Sequence, residues 1–300
     1  MKPISPLRYP GGKGKMTPFL RQAIAEQRPR PKVYVEPFAG GAGAALALLR
    51  AEVVDRVVLN DLNRGIAQFW RSVFSESKEF ARLVELTKPT MDEWHRQRSI
   101  YLDAGSSGIE LGFATFFLNR TNRSGILGAR PIGGMEQTGN WKIDARYSAK
   151  DLAKRILDLG GYRHRVEIRE QDGISLCETF SASDRTVFLN VDPPYLGQGD
   201  ELYMNTLQWE DHVRLAKVLE EGPPYWVMTY GIDQRVPDVL YPTYPCAIFS
   251  ISHTAYSQRV GREYLVISKN MRLSDLSGIG SRTGEWLPGR APESAIPTLF

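Results

Sequence analysis

The chain has 300 residues, of which 42% are hydrophobic and 24% charged, and its net charge at pH 7 is +4. This length suits one large domain or one domain with an insertion, and the composition is typical of a globular protein. Two cysteines exclude a disulfide framework. Because no apolar run has the length of a signal peptide or of a membrane helix, about 20 residues, we expect a cytoplasmic protein.

The first elements predict the opening of a parallel sheet. A proline- and glycine-rich segment over residues 1–16 precedes a predicted helix over 17–27 and a strand over 32–35. A glycine-rich turn, an alanine- and leucine-rich helix up to residue 49 and a second strand over 56–59 follow. Strand, turn, helix and strand in this order are typical of a Rossmann-like unit.

The alternation of strands and helices stops after residue 63 and resumes near residue 164. The intervening segment predicts helices over 66–74, 79–86, 94–101 and 149–159, an apolar segment over 113–118 and a loop over 119–147. Further strands are predicted over 166–168, 186–191, 225–229, 247–251 and 263–267, with a helix over 209–219. The residues after 273 are rich in glycine, serine and proline.

We therefore predict an α/β catalytic domain in two pieces, residues 1–63 and 164–273. A mainly helical and loop target-recognition domain over 64–163 interrupts it, and a flexible tail covers 274–300. Residues 119–169 contain eleven Lys and Arg and five Asp and Glu, so positive charge is concentrated in and beside the insertion. Such a distribution is typical of a nucleic-acid surface, although a solvated basic face without a partner would look the same.

The tetrapeptide Asp192-Pro193-Pro194-Tyr195 ends a buried strand. Ligands of open α/β sheets bind at the carboxyl ends of strands, and two prolines leave this end without backbone donors. The Asp192 carboxylate and the Pro193 carbonyl can each accept an N–H of an exocyclic amine, and Tyr195 offers a ring for stacking. The tetrapeptide therefore predicts a site for a planar base that carries an amino group.

A second candidate site is the glycine loop after the first strand. Gly40, Gly41 and Gly43 open a helix, and Asp61 ends the next strand. Free N–H groups at a helix N-terminus and a carboxylate for ribose hydroxyls favour a nucleoside-containing cofactor. The spacing departs from that of dinucleotide sites, so NAD is not indicated, and Gly11 to Met16 lack the ending of a phosphate loop.

Four motifs in this order resemble those of the Dam-like DNA adenine N6-methyltransferases. They are Leu7-Arg8-Tyr9-Pro10-Gly11-Gly12-Lys13, Val35-Glu36-Pro37-Phe38-Ala39-Gly40-Gly41-Ala42-Gly43, Asn60-Asp61-Leu62-Asn63 and Asp192-Pro193-Pro194-Tyr195. Residues 115–120 and the glycine- and arginine-rich stretch after them are also similar to that family. The resemblance covers about residues 4–270.

The resemblance implies a Rossmann-like fold, S-adenosyl-L-methionine as cofactor, double-stranded DNA as partner and methylation of adenine N6 after base flipping. It implies that Tyr9 packs on the cofactor, that Lys13 contacts it, and that Asp61 holds its ribose. The residues implied to wrap its methionine part include Glu36, Pro37, Phe38, Gly40, Gly41 and Gly43. Asp172 is implied to lie near its adenine, although the family's aromatic residue after this acid is Gly173 here. Asp192 is implied at both the cofactor and the catalytic site.

Polar residues of the insertion are predicted to contact DNA. They are Asn119, Arg120, Asn122, Arg123, Arg130 and Lys142. Arginine suits guanine and asparagine suits adenine, but arginine and lysine serve equally as phosphate contacts, and the sequence does not separate these roles.

Three alternatives stay open. Cytosine N4 and RNA adenine share the chemistry of an exocyclic amine, and a catalytically silent DNA-binding protein could keep the same scaffold. The four histidines have no metal-ligand spacing, so we predict no metal. Pro245-Cys246 lacks the surroundings of a carbon-5 cytosine methyltransferase nucleophile, and we interpret both cysteines as structural.

Overall fold

Alternate side chains of the buried strands lie on opposite faces of one sheet. The structure is a computed structural model, and it describes residues 4–9, 11–196, 207–253, 259–280 and 284–295. Its strands are β1 (Val33–Glu36), β2 (Arg56–Asn60), β3 (Val166–Arg169), β4 (Val187–Val191), β5 (Trp226–Gly231), β6 (Cys246–His253), β7 (Arg259–Ile267) and β8 (Glu285–Trp286).

Helices cover the sheet. They are α1 (Thr17–Ala25), α2 (Gly43–Arg50), α3 (Arg64–Ser75), α4 (Ser77–Leu86), α5 (Met91–Leu102), α6 (Gly108–Thr121), α7 (Ala149–Gly160), α8 (Gly173–Cys177) and α9 (Trp209–Glu221). A 3-10 helix, Lys13–Met16, precedes α1, and a π-helix, Val236–Leu240, follows β5.

The strand order is β3-β2-β1-β4-β5-β7-β6-β8. Strands β1 to β5 pair in parallel, whereas β7 enters antiparallel between β5 and β6. The order reverses between β1 and β4, which makes the carboxyl ends of these two strands the topological switch point where ligands bind. The predicted Rossmann-like α/β fold is confirmed.

The predicted insertion, residues 64–163, shares a core with the sheet. Tyr34 of β1 and Phe188 of β4 belong to the same hydrophobic cluster as Phe69 of α3 and Phe116 of α6. The opposite face of the sheet packs against α8, α9 and the π-helix. The helices of the insertion thus extend one of the two layers that cover the sheet.

The loop predicted over residues 119–147 begins later than expected, because α6 continues to Thr121. The side chains of Asn119 and Thr121 are fully buried, and Thr121 donates a hydrogen bond to the Phe117 carbonyl. The remainder consists of turns and two short 3-10 helices, Arg123–Gly125 and Ile143–Arg146.

The described part of the segment predicted as a flexible tail is anchored to the rest of the protein. Leu276 and Ile279 are buried in the same core as α1, and the Ser274 N–H donates to Glu26 Oε2 at 2.7 Å. Strand β8 pairs with β6. Isolated apolar residues anchor this segment, so the glycine and serine between them form turns on the surface. Residues 281–283 and 296–300 lie outside the described residues.

Candidate active site

The glycine loop after β1 has a backbone conformation and a close contact that a larger residue would not allow. Gly40 has φ +45°, and a Cβ at this position would lie 2.5 Å from the Tyr9 ring. The Gly40 carbonyl accepts a hydrogen bond from Trp70 Nε1 of α3 at 2.9 Å. Tyr9 therefore packs directly on the loop, which α3 holds from the other side.

Asp61 joins the carboxyl ends of β1 and β2. Its Oδ2 accepts from the Gly40 N–H and its Oδ1 from the Asn63 N–H, both at 2.9 Å. Burial raises the pKa of Asp61 to about 6, against the effect of these two bonds. Each carboxylate oxygen has two lone pairs, so Asp61 keeps acceptor capacity toward the cavity that it lines.

Glu36 is a buried carboxyl at the end of β1. Its Oε1 accepts from the Tyr34 hydroxyl and from the Ala45 N–H at the start of α2, both at 3.2 Å. Burial raises its pKa to about 8, although both hydrogen bonds act in the opposite direction. Because Ala45 lies in the first turn of α2, this bond ties the carboxyl to the helix N-terminus.

Asp172 and Gly173 start helix α8 beside the cavity. Asp172 Oδ1 accepts from the Ser175 N–H at 2.8 Å, which caps the helix. A Cβ at Gly173 would lie 2.5 Å from the Phe38 ring. Phe38 thus occupies the space beside Gly173, and it supplies an aromatic surface next to Asp172, where the sequence lacks one at position 173.

Asp192 follows β4 and is held by three side chains. Its Oδ1 accepts from the hydroxyls of Tyr195 at 2.9 Å and of Thr229 at 2.7 Å. Its Oδ2 contacts Lys13 Nζ at 2.9 Å. The carboxylate orientation is therefore fixed before any ligand binds, and one lone pair of Oδ2 remains for a further donor.

Tyr195 is supported by a second aromatic residue. Its ring stacks on that of Tyr230 with a centroid distance of 5.3 Å and an interplanar angle of 24°. The Tyr230 hydroxyl bonds to the ring nitrogens of His212, which is buried. Gly231 leaves room for this stack, since a Cβ there would lie 3.0 Å from Tyr195.

One cavity at the switch point brings most of the predicted cofactor residues together. Those that line it are Tyr9, Lys13, Glu36, Phe38, Gly41, Gly43, Asp61, Asp172 and Asp192. Pro37, Gly40, Pro193 and Tyr195 are not among the lining residues. Pro37 instead accepts a hydrogen bond from Asn60 through its carbonyl, and this bond fixes the turn after β1.

Sequence reasoning missed several residues of this site. Asn63, Asn190, Leu207 and the insertion residues Ile126 and Leu127 also line the cavity. Asn190 is the second residue before Asp192 in β4, so it carried a signal, namely a polar residue within an apolar strand. Ile126 and Leu127 carried none, because their position depends on how the insertion folds back.

Two of the predicted DNA contacts are buried side chains that bind other parts of the protein. Asn119 Oδ1 accepts from the Arg8 N–H, and its Nδ2 donates to the carbonyls of Arg8 and Gly125. Asn122 accepts from Trp94 Nε1 and donates to the carbonyls of Ile126 and Leu127. Both side chains are fully buried, and their amides bridge backbone segments, so they are not available to read bases.

Arg120 is also engaged within the protein. Three other predicted contacts are exposed, and one of them, Lys142, donates to the Gln137 carbonyl. Arg120 donates to the carbonyls of Arg146 and Pro6, and its burial lowers its pKa to about 9. The exposed residues are Arg123, Arg130 and Lys142.

Both cysteines are buried, and burial raises the pKa of each thiol to about 12. No helix in the described part of the chain is long and apolar enough to span a membrane. Within residues 4–9, 11–196, 207–253, 259–280 and 284–295, no group of three or more His, Cys, Asp or Glu could hold a metal ion.

A ligand cavity at the switch point of this sheet, between a glycine loop and a strand that ends in Asp-Pro-Pro-Tyr, defines a methyltransferase of the Rossmann-like class. The family model of the D12 class N6 adenine-specific DNA methyltransferases matches residues 9–231, more than half of the chain. The chain therefore belongs to this family and is an adenine-specific methyltransferase.

Solved structures show more distant similarity. A proposed RNA methyltransferase from Pyrococcus horikoshii is 9% identical with a TM-score of 0.38, and the match covers 85% of this chain and 79% of the other. The rRNA methyltransferase AviRa from Streptomyces viridochromogenes is 14% identical with a TM-score of 0.35, over 85% and 84% of the two chains. These similarities are too remote to indicate a substrate. No curated protein matches this sequence.

Proposed function

We propose that this enzyme transfers a methyl group from S-adenosyl-L-methionine to N6 of an adenine that is flipped out of double-stranded DNA. The observation that carries the proposal is the position of Asp192, whose Oδ2 has acceptor capacity at the edge of the switch-point cavity. The family membership of the chain supports adenine as the acceptor base.

The cavity residues fit the proposed methyl donor. Asn190 is 3% exposed, and its Oδ1 has no hydrogen-bond partner among the described residues, although Asn190 lines the cavity. A buried carbonyl without a partner is costly, so a ligand donor that reaches it would stabilise the site. Asp61 would hold ribose hydroxyls, Phe38 and Asp172 would flank the adenine ring, and the loop after Glu36 would enclose the amino-acid part. When bound, the sulfonium group supplies an electrophilic methyl carbon.

The residues after β4 would orient the acceptor amine. Asp192 Oδ2 and the Pro193 carbonyl would accept its two N–H bonds, which directs the nitrogen lone pair toward the methyl donor. Thr229 and Lys13 keep the carboxylate in place, so the acceptors need no reorganisation when the base arrives. Tyr195, backed by Tyr230, would stack on the flipped base.

We propose that the exposed basic residues of the insertion bind the DNA backbone. Arg123, Arg130 and Lys142 remain from the predicted set once the buried Asn119 and Asn122 and the half-buried Arg120 are removed. Their side chains suit phosphate contacts, which give affinity without sequence preference.

The test is the transfer of labelled methyl groups to duplex DNA, followed by nucleoside analysis of the digested product. We expect N6-methyladenine from the wild-type enzyme, and none above background from Asp192→Asn, which keeps the shape of the side chain. Circular dichroism would check that the variant is folded. Wild-type activity in this variant would contradict the mechanism.

The same assay separates the alternatives. N4-methylcytosine as product, or incorporation into RNA but not DNA, would change the acceptor. Tight binding of DNA without any incorporation would indicate a silent DNA-binding protein.

A further inference from the structure

Lys13 lies between two carboxylates that come from distant parts of the chain. Its Nζ is 2.9 Å from Asp192 Oδ2 and 3.5 Å from Oε2 of Glu263 on β7. It also donates to the Gly11 carbonyl and to the Tyr195 hydroxyl, each at 3.0 Å. Lys13 is 6% exposed and Glu263 is 2% exposed, so water screens this cluster poorly.

The charges of this cluster matter for the proposed reaction. An amine that attacks a sulfonium gains positive charge in the transition state, and a nearby negative charge stabilises it. Lys13 and Asp192 alone form a neutral pair, so the lysine would cancel the effect of the carboxylate on the amine. Glu263 adds a second negative charge and makes the cluster of three groups net negative.

We propose that Glu263 is a positioning residue of the methyl transfer: its carboxylate balances Lys13, so that Lys13 can orient Asp192 without cancelling its negative charge at the acceptor amine. This inference rests on the proposed function. It assigns Glu263 a role that its position in β7 does not indicate, because Arg259 and Arg262 are charged residues of the same strand.

The same geometry makes the balance sensitive to pH. Three groups from two other elements face Glu263, namely Lys13 from the 3-10 helix and Asp192 and Tyr195 from the segment after β4. Burial raises the pKa of Glu263 to about 7, while the positive charge of Lys13 opposes the rise. Glu263 therefore gains its charge gradually as the pH rises through about 7, and kcat should rise with it.

The direct experiment compares kcat between pH 5.5 and 9 for the wild type and Glu263→Gln. We expect the variant to lose about tenfold in kcat above pH 7, in line with the loss of one electrostatic contribution, and to lose the ionisation near pH 7. The Michaelis constants for DNA and for S-adenosylmethionine should change less than twofold. Glu285→Gln, a matched change on exposed β8, should keep the wild-type profile.

A double variant tests the link to Lys13. Without the lysine, burial and the charge of Asp192 would keep Glu263 protonated at neutral pH, so its replacement should matter little. We expect Lys13→Met with Glu263→Gln to differ from Lys13→Met alone by less than twofold in kcat. A tenfold further loss, or a wild-type pH profile in Glu263→Gln, would overturn the proposal.

A measurement without catalysis distinguishes failure of this inference from failure of the proposed function. The raised pKa of Glu263 means that the folded wild-type protein should lose stability relative to Glu263→Gln as the pH rises from 4.5 to 7. Thermal unfolding of the protein alone would show this. An unchanged difference in melting temperature across that range would contradict the placement of Glu263 even if the enzyme methylates DNA.

Discussion

The side chain of Asn119 pairs with both backbone groups of Arg8, accepting from its N–H at 2.7 Å and donating to its carbonyl at 2.8 Å. These residues are 111 positions apart. One side chain thus bonds to the N–H and to the carbonyl of the same residue, as a neighbouring strand does in an antiparallel sheet. It holds the N-terminal segment, which carries Tyr9 and Lys13, against helix α6 of the insertion.

Replacement of this amide should destabilise the protein. Asn119→Ala leaves the Arg8 N–H and two carbonyls without their partner, and each buried unsatisfied group costs about 1–3 kcal/mol. We expect a loss of at least about 3 kcal/mol in the free energy of unfolding, measured with urea. The matched change Asn140→Ala, at an exposed position, should cost less than about 0.5 kcal/mol. Equal effects of the two changes would contradict the structural role of Asn119.

The contact of Tyr9 with the glycine loop predicts a specific effect of Gly40→Ala. The new methyl group would overlap the Tyr9 ring and would also be strained at φ +45°. We expect binding of S-adenosylhomocysteine, measured by calorimetry, to weaken by at least about tenfold, or about 1.4 kcal/mol.

Gly134→Ala is the control for backbone strain, because Gly134 has φ +80° and no atom within 4 Å of a Cβ. It should lower stability without a change in ligand affinity. If Gly40→Ala binds S-adenosylhomocysteine as tightly as the wild type does, the position of Tyr9 is not needed for binding.

Glu36 should make stability depend on pH. Its pKa is raised from 4.5 to about 8 in the folded protein, so its contribution is fully present below pH 4.5 and is lost as the pH rises to 8. Between pH 7 and 8 Asp61 has titrated and Glu263 completes its titration, and Glu36 should then account for a loss of about 1 kcal/mol of unfolding free energy per pH unit.

Glu36→Gln should flatten this dependence in urea unfolding over the same range. The exposed Glu136→Gln serves as the comparison and should retain the wild-type slope. If Glu36→Gln loses unfolding free energy with pH as steeply as the wild type does, another group is responsible for the titration.

If Arg130 and Lys142 contact phosphates, their replacement should weaken the salt dependence of DNA binding. Each phosphate contact contributes about −0.9 to the slope of log K against log salt concentration for duplex DNA. We expect Arg130→Ala and Lys142→Ala each to reduce the slope by about this amount in fluorescence anisotropy, on related and unrelated sequences alike.

Arg56→Ala is the control, since Arg56 begins β2 at the end of the sheet opposite the cavity. If Arg56→Ala changes the salt dependence of DNA binding and the two insertion variants do not, the DNA binds on another surface.

The elements with clear periodicity could be predicted from the sequence. Apolar strands and amphipathic helices follow local patterns, so the parallel sheet, the helical insertion and the closing pair β6 and β7 agree with expectation. The carboxyl ends of β1, β2 and β4 also placed Glu36, Asp61 and Asp192 near one cavity. These inferences need only two general rules: side chains alternate between the faces of a strand, and ligands bind at the carboxyl ends of parallel strands.

Long-range polar contacts could not be predicted in the same way. An asparagine amide can read a base or bridge backbone groups, and the choice for Asn119 depends on Arg8, far away in the sequence. Glu263 lies in β7 beside other polar residues, and only the pairing of β5 with β7 brings it to Lys13. Leu276 and Ile279 have no regular spacing, which made the packed C-terminal segment resemble a mobile one.

The contact between Lys13 and Glu263 also bears on when the enzyme becomes active during its synthesis. A ribosome makes Lys13 before both of its carboxylate partners, Asp192 and Glu263, which follow much later in the chain. A nascent chain that ends before β7 can build most of the parallel sheet but cannot complete the charge cluster around Asp192. Lys13 is thus synthesised well before its two carboxylate partners, so the site is complete only after β7 has been made.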